Sequence, residues 1–119
     1  MLKLSRTNLV SRAIKVRLPT ENPHAFAEGE ITYKAKIKTK DELAALSEAG
    51  LTDGDYINEL LVDVNGLGDA EGVAIAGDAA LTEVRTGTFS SYLQAAILQD
   101  YFEQYADARV KNSKTSRGR

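Results

Sequence analysis

The fold is decided by the stretch EITYKAKIKTKDELAAL, residues 30–46, because its apolar residues change their spacing halfway along. In residues 30–38 apolar and polar residues alternate, which predicts a β-strand with one buried face and one solvated, lysine-rich face. From Thr39 the spacing becomes helical, since Thr39-x-x-Glu42 is a capping box and leucines follow it at helical intervals. The stretch therefore predicts a strand that passes directly into a helix.

Upstream of this stretch, residues 11–18 alternate in the same way, with Ile14, Val16 and Leu18 on one face and Lys15 and Arg17 on the other. They predict a further strand, which we expect to pair antiparallel with residues 30–38. Pro19 should end this strand, because proline has no backbone N–H to donate to the ladder. Residues 20–29 are then expected to form a loop.

The middle of the chain predicts short elements. A helix should begin at Thr52 or Asp53 and give way to a short strand at residues 61–64. The dipeptide Asn65-Gly66 is a strong turn signal. Residues 66–77, rich in glycine and alanine, are expected to form a loop.

The last third of the chain predicts two helices and a tail. A short helix is expected at residues 78–85, and Thr88 should cap the longest helix, at residues 89–109. The predicted fold class is α+β: a small N-terminal antiparallel β-sheet followed by several helices, the longest near the C-terminus. We expect a single domain at residues 1–109 and a flexible, disordered basic tail at residues 110–119.

Charge is sorted into three blocks along the chain. Residues 1–40 carry nine Lys and Arg against three Glu, residues 41–108 carry one Arg against fourteen acids, and residues 109–119 carry five cations and no acid. The formal net charge of −2 hides this separation. An acidic body with basic ends favours a protein that meets other macromolecules over one that transforms a small molecule.

The residues that catalysis or metal binding would need do not form a recognisable pattern. The chain has no cysteine, and its single histidine, His24, has no histidine or cysteine partner. The segment that begins at Asp63 resembles the start of a calcium loop but has Leu67 and Ala74 where oxygen ligands are required. We therefore expect no enzymatic activity, no cofactor and no metal. No window approaches the roughly 20 apolar residues of a membrane span, so a cytoplasmic, soluble protein is expected.

The apolar positions of the helix predicted at residues 89–109 cover more than the roughly 100° of helix surface that one core contact needs. Two interpretations stay open. The excess is buried within this domain, or it forms an exposed binding face.

Four features of order and spacing are shared with one known family. They are the opening residues 2–12 before a strand and Pro-Thr, the strand that runs into residues 40–46, residues 59–72, and an aromatic helix with Tyr101 and Tyr105 that leads to Lys111-Asn112-Ser113. In these features the chain resembles the tail assembly chaperones of long-tailed bacteriophages.

The resemblance implies a small, non-enzymatic α+β protein that acts in the host cytoplasm and is absent from the mature virion. Such chaperones bind the phage tape-measure protein, keep it soluble and help to recruit tail-tube protein around it. Family members can self-associate, and many exist also as a longer form made by ribosomal frameshifting.

A long, largely helical tape-measure protein would require an apolar helix face on its chaperone. Our hypothesis is that this face, with the start of the tail, consists of Tyr92, Ile97, Tyr101, Phe102, Tyr105, Lys111 and Asn112.

Two other functions compete with this interpretation. A structural tail-completion or head-tail joining protein of a phage would persist in the virion. A small regulator would use residues 110–119 to bind nucleic acid, but this tail has no aromatic residue to stack on bases and the acidic body would repel phosphate, so we do not expect nucleic-acid binding.

Overall fold

A long antiparallel hairpin frames the molecule in the computed structural model, which describes residues 1–106. Its strands, β1 (Leu9–Pro19) and β2 (Phe26–Lys36), pair along their whole length. The predicted strand pair is confirmed, and Pro19 is the last residue of β1. Residues 26–29, predicted as loop, belong to β2 because they pair with residues 16–19, so the connecting turn is shorter than expected.

A third strand, β3 (Leu61–Asn65), completes the sheet by pairing antiparallel with β2. The strand order is β1-β2-β3, so β1 and β3 lie at the edges. The register slips between Lys34 and Ala35, which is a bulge. The inner face of β2 is buried from Ile31 onward. The outer face of the hairpin exposes Lys15, Arg17, Lys34 and Lys36, with Glu30 and Glu28 opposite the first two.

Two short helices lie between β2 and β3, and each begins with a capping box. In α1 (Lys40–Glu48) the hydroxyl of Thr39 accepts from the backbone N–H of Glu42, and the Glu42 carboxylate accepts from the N–H of Thr39, as predicted. In α2 (Asp53–Leu60) Thr52 and Asp55 make the same exchange. These caps satisfy N–H groups that a helix start leaves without partners.

The segment predicted as loop at residues 66–77 contains a small hairpin, β4 (Leu67–Gly68) and β5 (Ala74–Ile75). Its turn is held by the Asp69 carboxylate, which accepts from the backbone N–H groups of Glu71 and Val73 at 3.0 and 2.9 Å. Asp69 thus stabilises a turn. A strand of two residues is too short to show an alternation of apolar and polar residues, so the sequence predicts only a loop here.

Two helices, α3 (Gly77–Thr86) and α4 (Ser90–Tyr105), complete the described chain. The predicted α3 is confirmed within one residue at each end. The predicted cap at Thr88 is wrong, since Phe89 occupies the N-cap position and makes no side-chain cap bond. The predicted end of α4 is also wrong within the described residues, because Ala106 is extended, with φ −79° and ψ 145°.

Residues 107–109 of the predicted helix and the predicted tail at 110–119 lie outside the described residues.

One core joins the inner face of the sheet to all four helices, and α4 packs against β1, α2 and α3. The buried apolar residues are Val16, Ile31, Tyr33, Ala35, Leu43, Tyr56, Ile57, Leu60, Leu61, Val64, Ala80, Val84, Leu93, Ile97, Leu98 and Tyr101. The α+β class, with its antiparallel sheet and its longest helix near the C-terminus, is confirmed. Among residues 1–106, no helix has the length and apolar character needed to cross a membrane.

Candidate partner-binding surface

The five helical residues of the predicted binding face differ widely in burial. Ile97 and Tyr101 are 2% and 1% exposed and belong to the core. Tyr92 is 48% exposed, whereas Phe102 and Tyr105 are half-buried against the core. The other two predicted binding residues, Lys111 and Asn112, lie outside the described residues.

Helix geometry explains why these residues do not share one face. Tyr92 and Tyr101 are nine residues apart, which is about two and a half turns at 3.6 residues per turn, so their side chains leave α4 on opposite sides. The core takes the side of Tyr101. The hypothesis of a single apolar face is therefore corrected: Ile97 and Tyr101 hold the fold, and of the five residues only Tyr92 is widely exposed.

The C-terminal half of α4 is fixed by aromatic contacts. The Phe102 ring meets the Tyr56 ring of α2 edge-on, with ring centroids 5.3 Å apart. The ring centroids of Tyr101 and Tyr105 are 5.5 Å apart. The Tyr101 hydroxyl donates to the carbonyl of Lys36 at 2.7 Å, and burial raises the pKa of this hydroxyl. Edge-on ring pairs add to the stability that area burial provides, so this end of α4 is part of the structural frame.

A hydrogen-bonded cluster of Asp100, Arg12 and Tyr33 fixes the middle of α4 to the sheet. Asp100 accepts from Arg12 Nε at 2.8 Å, from Arg12 Nη2 at 3.0 Å and from the Tyr33 hydroxyl at 2.7 Å. Burial raises the pKa of Asp100, but the hydrogen bonds from Arg12 and Tyr33 outweigh burial and hold it below its usual value. Burial, together with the bond to Asp100, raises the pKa of Tyr33 far above its usual value. All these polar groups are paired, so the cluster positions α4.

The N-terminal half of α4 borders an open apolar groove. Two adjoining cavities, of about 220 and 390 Å³, share a floor of Leu18, Leu67 and Leu93. We define the groove by its apolar lining: Val16, Leu18, Ala27, Ile31, Leu67, Ala70, Ile75, Phe89 and Leu93. The sheet, the β4–β5 hairpin, α3 and α4 thus surround it.

Aromatic side chains stand at the mouth of this groove. Phe89 is 39% exposed, and its ring centroid lies 6.5 Å from that of Tyr92. Leu93, one turn after Phe89, reaches the floor and is buried. The exposed part of the predicted face, Tyr92, therefore lies beside the groove.

The groove is acidic on the side of the β4–β5 hairpin and α3. Asp69 and Glu83 line it, and no Lys or Arg is among the residues that line either cavity. The segment that forms this side, residues 66–84, carries four acids and no Lys or Arg. We call this segment the acidic wall. A polar or anionic partner would gain little here, whereas an apolar surface with positive charge is complementary to it.

Sequence reasoning did not find the groove, because its lining comes from both ends of the described chain. Leu18 and Leu93 meet only after folding, and no local periodicity links them. The sequence contains one signal: Leu67, Val73 and Ile75 are the larger aliphatic residues in residues 66–77, a segment otherwise composed of small and acidic residues.

The described residues show no arrangement typical of a metal site, since residues 1–106 contain no group of three or more potential His, Asp or Glu ligands. His24 lies in the turn between β1 and β2, where its backbone N–H donates to the side-chain oxygen of Asn22 at 2.9 Å.

Comparisons of the chain with protein-family models, with curated proteins and with solved structures found no match. The resemblance to phage tail assembly chaperones stays a prediction.

Proposed function

We propose that this protein is a tail assembly chaperone of a long-tailed bacteriophage. In this proposal it binds the phage tape-measure protein in the host cytoplasm, keeps it soluble and helps to recruit tail-tube protein. It acts without a cofactor, is not an enzyme and does not remain in the mature virion.

The observation that carries the proposal is the open groove with aromatic residues at its mouth. A protein that shields apolar segments of another chain needs an apolar surface that stays accessible after its own folding. Phe89 lines the larger cavity and is exposed, its ring neighbour Tyr92 is exposed beside it, and the floor is leucine-rich. Other large apolar residues of the described chain are exposed as well, among them Phe26 and Val73, but Phe89 is the one that also lines the larger cavity.

Co-expression with the tape-measure protein of the same phage tests the proposal. We expect co-purification and a larger soluble fraction of the tape-measure protein. The variant Phe89→Ala/Tyr92→Ala should lose both effects while it keeps the wild-type circular dichroism spectrum. A matched control on the outer sheet face, Lys15→Ala/Lys34→Ala, should keep them. A folded wild-type protein that neither binds nor solubilises its tape-measure protein would rule out the proposal.

A structural subunit of the phage tail is the second candidate, and the free edge of β1 favours it. No strand among residues 1–106 pairs with the outer edge of this eleven-residue strand. Alternate residues of β1 therefore direct backbone N–H and C=O groups outward, where a neighbouring subunit can pair with them. Such pairing would also give self-association. Mass spectrometry of purified virions separates the candidates, because a subunit is present in particles and the proposed chaperone is not.

A further inference from the structure

The groove has features that select the kind of segment it can hold. It is walled by elements from three parts of the fold, and its larger cavity, about 390 Å³, lies at the small end of the range of roughly 300–1,000 Å³ for ligand pockets. That volume accepts a few aliphatic side chains and not a bulky folded surface. Two adjoining cavities with a shared floor fit side chains that project from one side of a helix at intervals of three or four residues.

A helix is also the backbone form that suits this surface. It satisfies its own N–H and C=O groups, so only side chains need to enter the groove. The lining is apolar at its floor, and Leu93 offers no polar group to pair with an inserted backbone. An extended segment would need backbone partners, and these lie at the border of the smaller cavity, in the part of β2 that β3 does not pair, rather than over the leucine floor.

Charge determines which helix is preferred. Asp69 and Glu83 line the larger cavity, and Glu71 and Asp78 are exposed on the same acidic wall. A basic residue beside the inserted side chains would meet these carboxylates, whereas an acidic residue would meet like charge. Since these acids are exposed, the effect is on partner choice and association rate more than on affinity, and salt weakens it.

We infer that the groove holds an amphipathic helix of a partner protein, with aliphatic anchors on one face and Lys or Arg beside them. That the partner is the tape-measure protein rests on the proposed function. The preference of the groove for a basic helix does not rest on it.

Peptide titration tests the inference with the full chain. The probe is a synthetic 18-residue helical peptide with Leu on one face, Lys on the other and one Trp. The protein has no Trp, so Trp fluorescence reports the peptide alone. A matched peptide carries Glu in place of Lys. We expect the Lys peptide to bind, the Glu peptide to bind at least tenfold more weakly, and the difference to shrink at high salt.

Variants locate the binding. Glu71→Gln/Glu83→Gln should weaken binding of the Lys peptide by roughly fivefold, as two exposed charge pairs would. The control Glu48→Gln/Glu59→Gln removes the same charge from exposed positions in α1 and α2 and should leave binding unchanged. Equal binding of both peptides, or equal loss in the control, would overturn the inference.

Two other occupants have distinct outcomes. If a synthetic peptide of residues 109–119 displaces the Lys peptide, the groove is a site for the chain's own basic segment and the inference is wrong. If the protein sediments as a dimer that Phe89→Ala dissociates, a second copy covers the groove and the inference is equally wrong.

The two proposals fail separately. Binding of the Lys peptide without binding of the tape-measure protein refutes the proposed function alone. Binding of the tape-measure protein without preference for the Lys peptide refutes the inference alone.

Discussion

Removal of the Asp100 carboxylate should release the middle of α4 from the sheet. In Asp100→Ala, Arg12 and the Tyr33 hydroxyl lose the acceptor that they share at 2.7–3.0 Å. Tyr33 is fully buried in the intact protein, and its hydroxyl donates to Asp100, so the variant removes the acceptor of a buried donor. The adjacent variant Gln99→Ala, at an exposed position of the same helix, is the matched control.

The expected loss of stability in Asp100→Ala has two parts, the unpaired Tyr33 hydroxyl and the lost ion pair with Arg12. An orphaned buried hydroxyl costs about 1–3 kcal/mol. The Arg12 side chain is 36% exposed and can be hydrated again, so its lost ion pair adds little to this cost. We expect Asp100→Ala to lower the free energy of unfolding by about 2 kcal/mol, which is roughly 10 °C in Tm for a domain of this size.

A second substitution separates the orphaned hydroxyl from the lost charge. Tyr33→Phe in the Asp100→Ala background removes the unpaired group, and should recover about 1 kcal/mol although it removes a further polar atom. Urea unfolding followed by circular dichroism measures all four proteins. A loss in Asp100→Ala no larger than that in Gln99→Ala, or no recovery in the double variant, would refute the reasoning.

Acid should remove the same contribution in the wild type. The folded-state pKa of Asp100 is below its usual value, so its stabilisation is fully present above the unfolded value of about 3.9 and is lost as pH falls through the folded value. The stability difference between wild type and Asp100→Ala should therefore narrow as the pH falls below the unfolded value. A difference that stays constant as the pH falls would show that the ionised carboxylate contributes nothing.

Three further predictions concern stability and are measured by equilibrium urea unfolding. Ile97→Ala, at a position 2% exposed, should cost about 3 kcal/mol, whereas Tyr92→Ala, at 48% exposure, should change stability by less than about 0.5 kcal/mol; similar losses would contradict the burial assignment. Gly66→Ala should cost more than about 2 kcal/mol, because φ is +99° and a Cβ would lie 2.8 Å from the carbonyl oxygen of Glu30; a neutral result would mean that this approach relaxes freely. Thr39→Ala should cost about 1 kcal/mol through the lost cap, and Thr39→Ser should restore most of it.

Local patterns predicted those elements whose signals are local. Alternation in residues 30–38 and the Thr39–Glu42 capping box located β2 and α1, since both depend on neighbours within four residues. Residues 26–29 have no such alternation and were predicted as loop. They extend because residues 16–19 supply a partner strand, and that partner is not visible in a short window.

The candidate surface was predictable only in part. The last helix does carry more apolar residues than one core contact needs. Which of its sides is buried depends on the sheet, and the sheet packs against the side that carries Tyr101. Tyr92 stays exposed because its side chain leaves the helix on the side opposite Tyr101. The contact of Arg12 with Asp100 spans 88 residues, and the groove joins β1 to the start of α4. Neither the Arg12–Asp100 contact nor the groove can be predicted from the spacing of residues in the sequence.

Because of the position of α4 in the chain, the core can be completed only at a late stage of translation. This helix is the last described element, yet it packs on β1, the first. Until residues 90–105 have been translated, the inner face of the sheet has no cover from α4, and the nascent chain exposes apolar side chains such as Ile14 and Val16. Partly made chains of this kind are prone to aggregate. A ribosome that stalls before Ser90 would thus release a substrate for the cell's own chaperones and proteases.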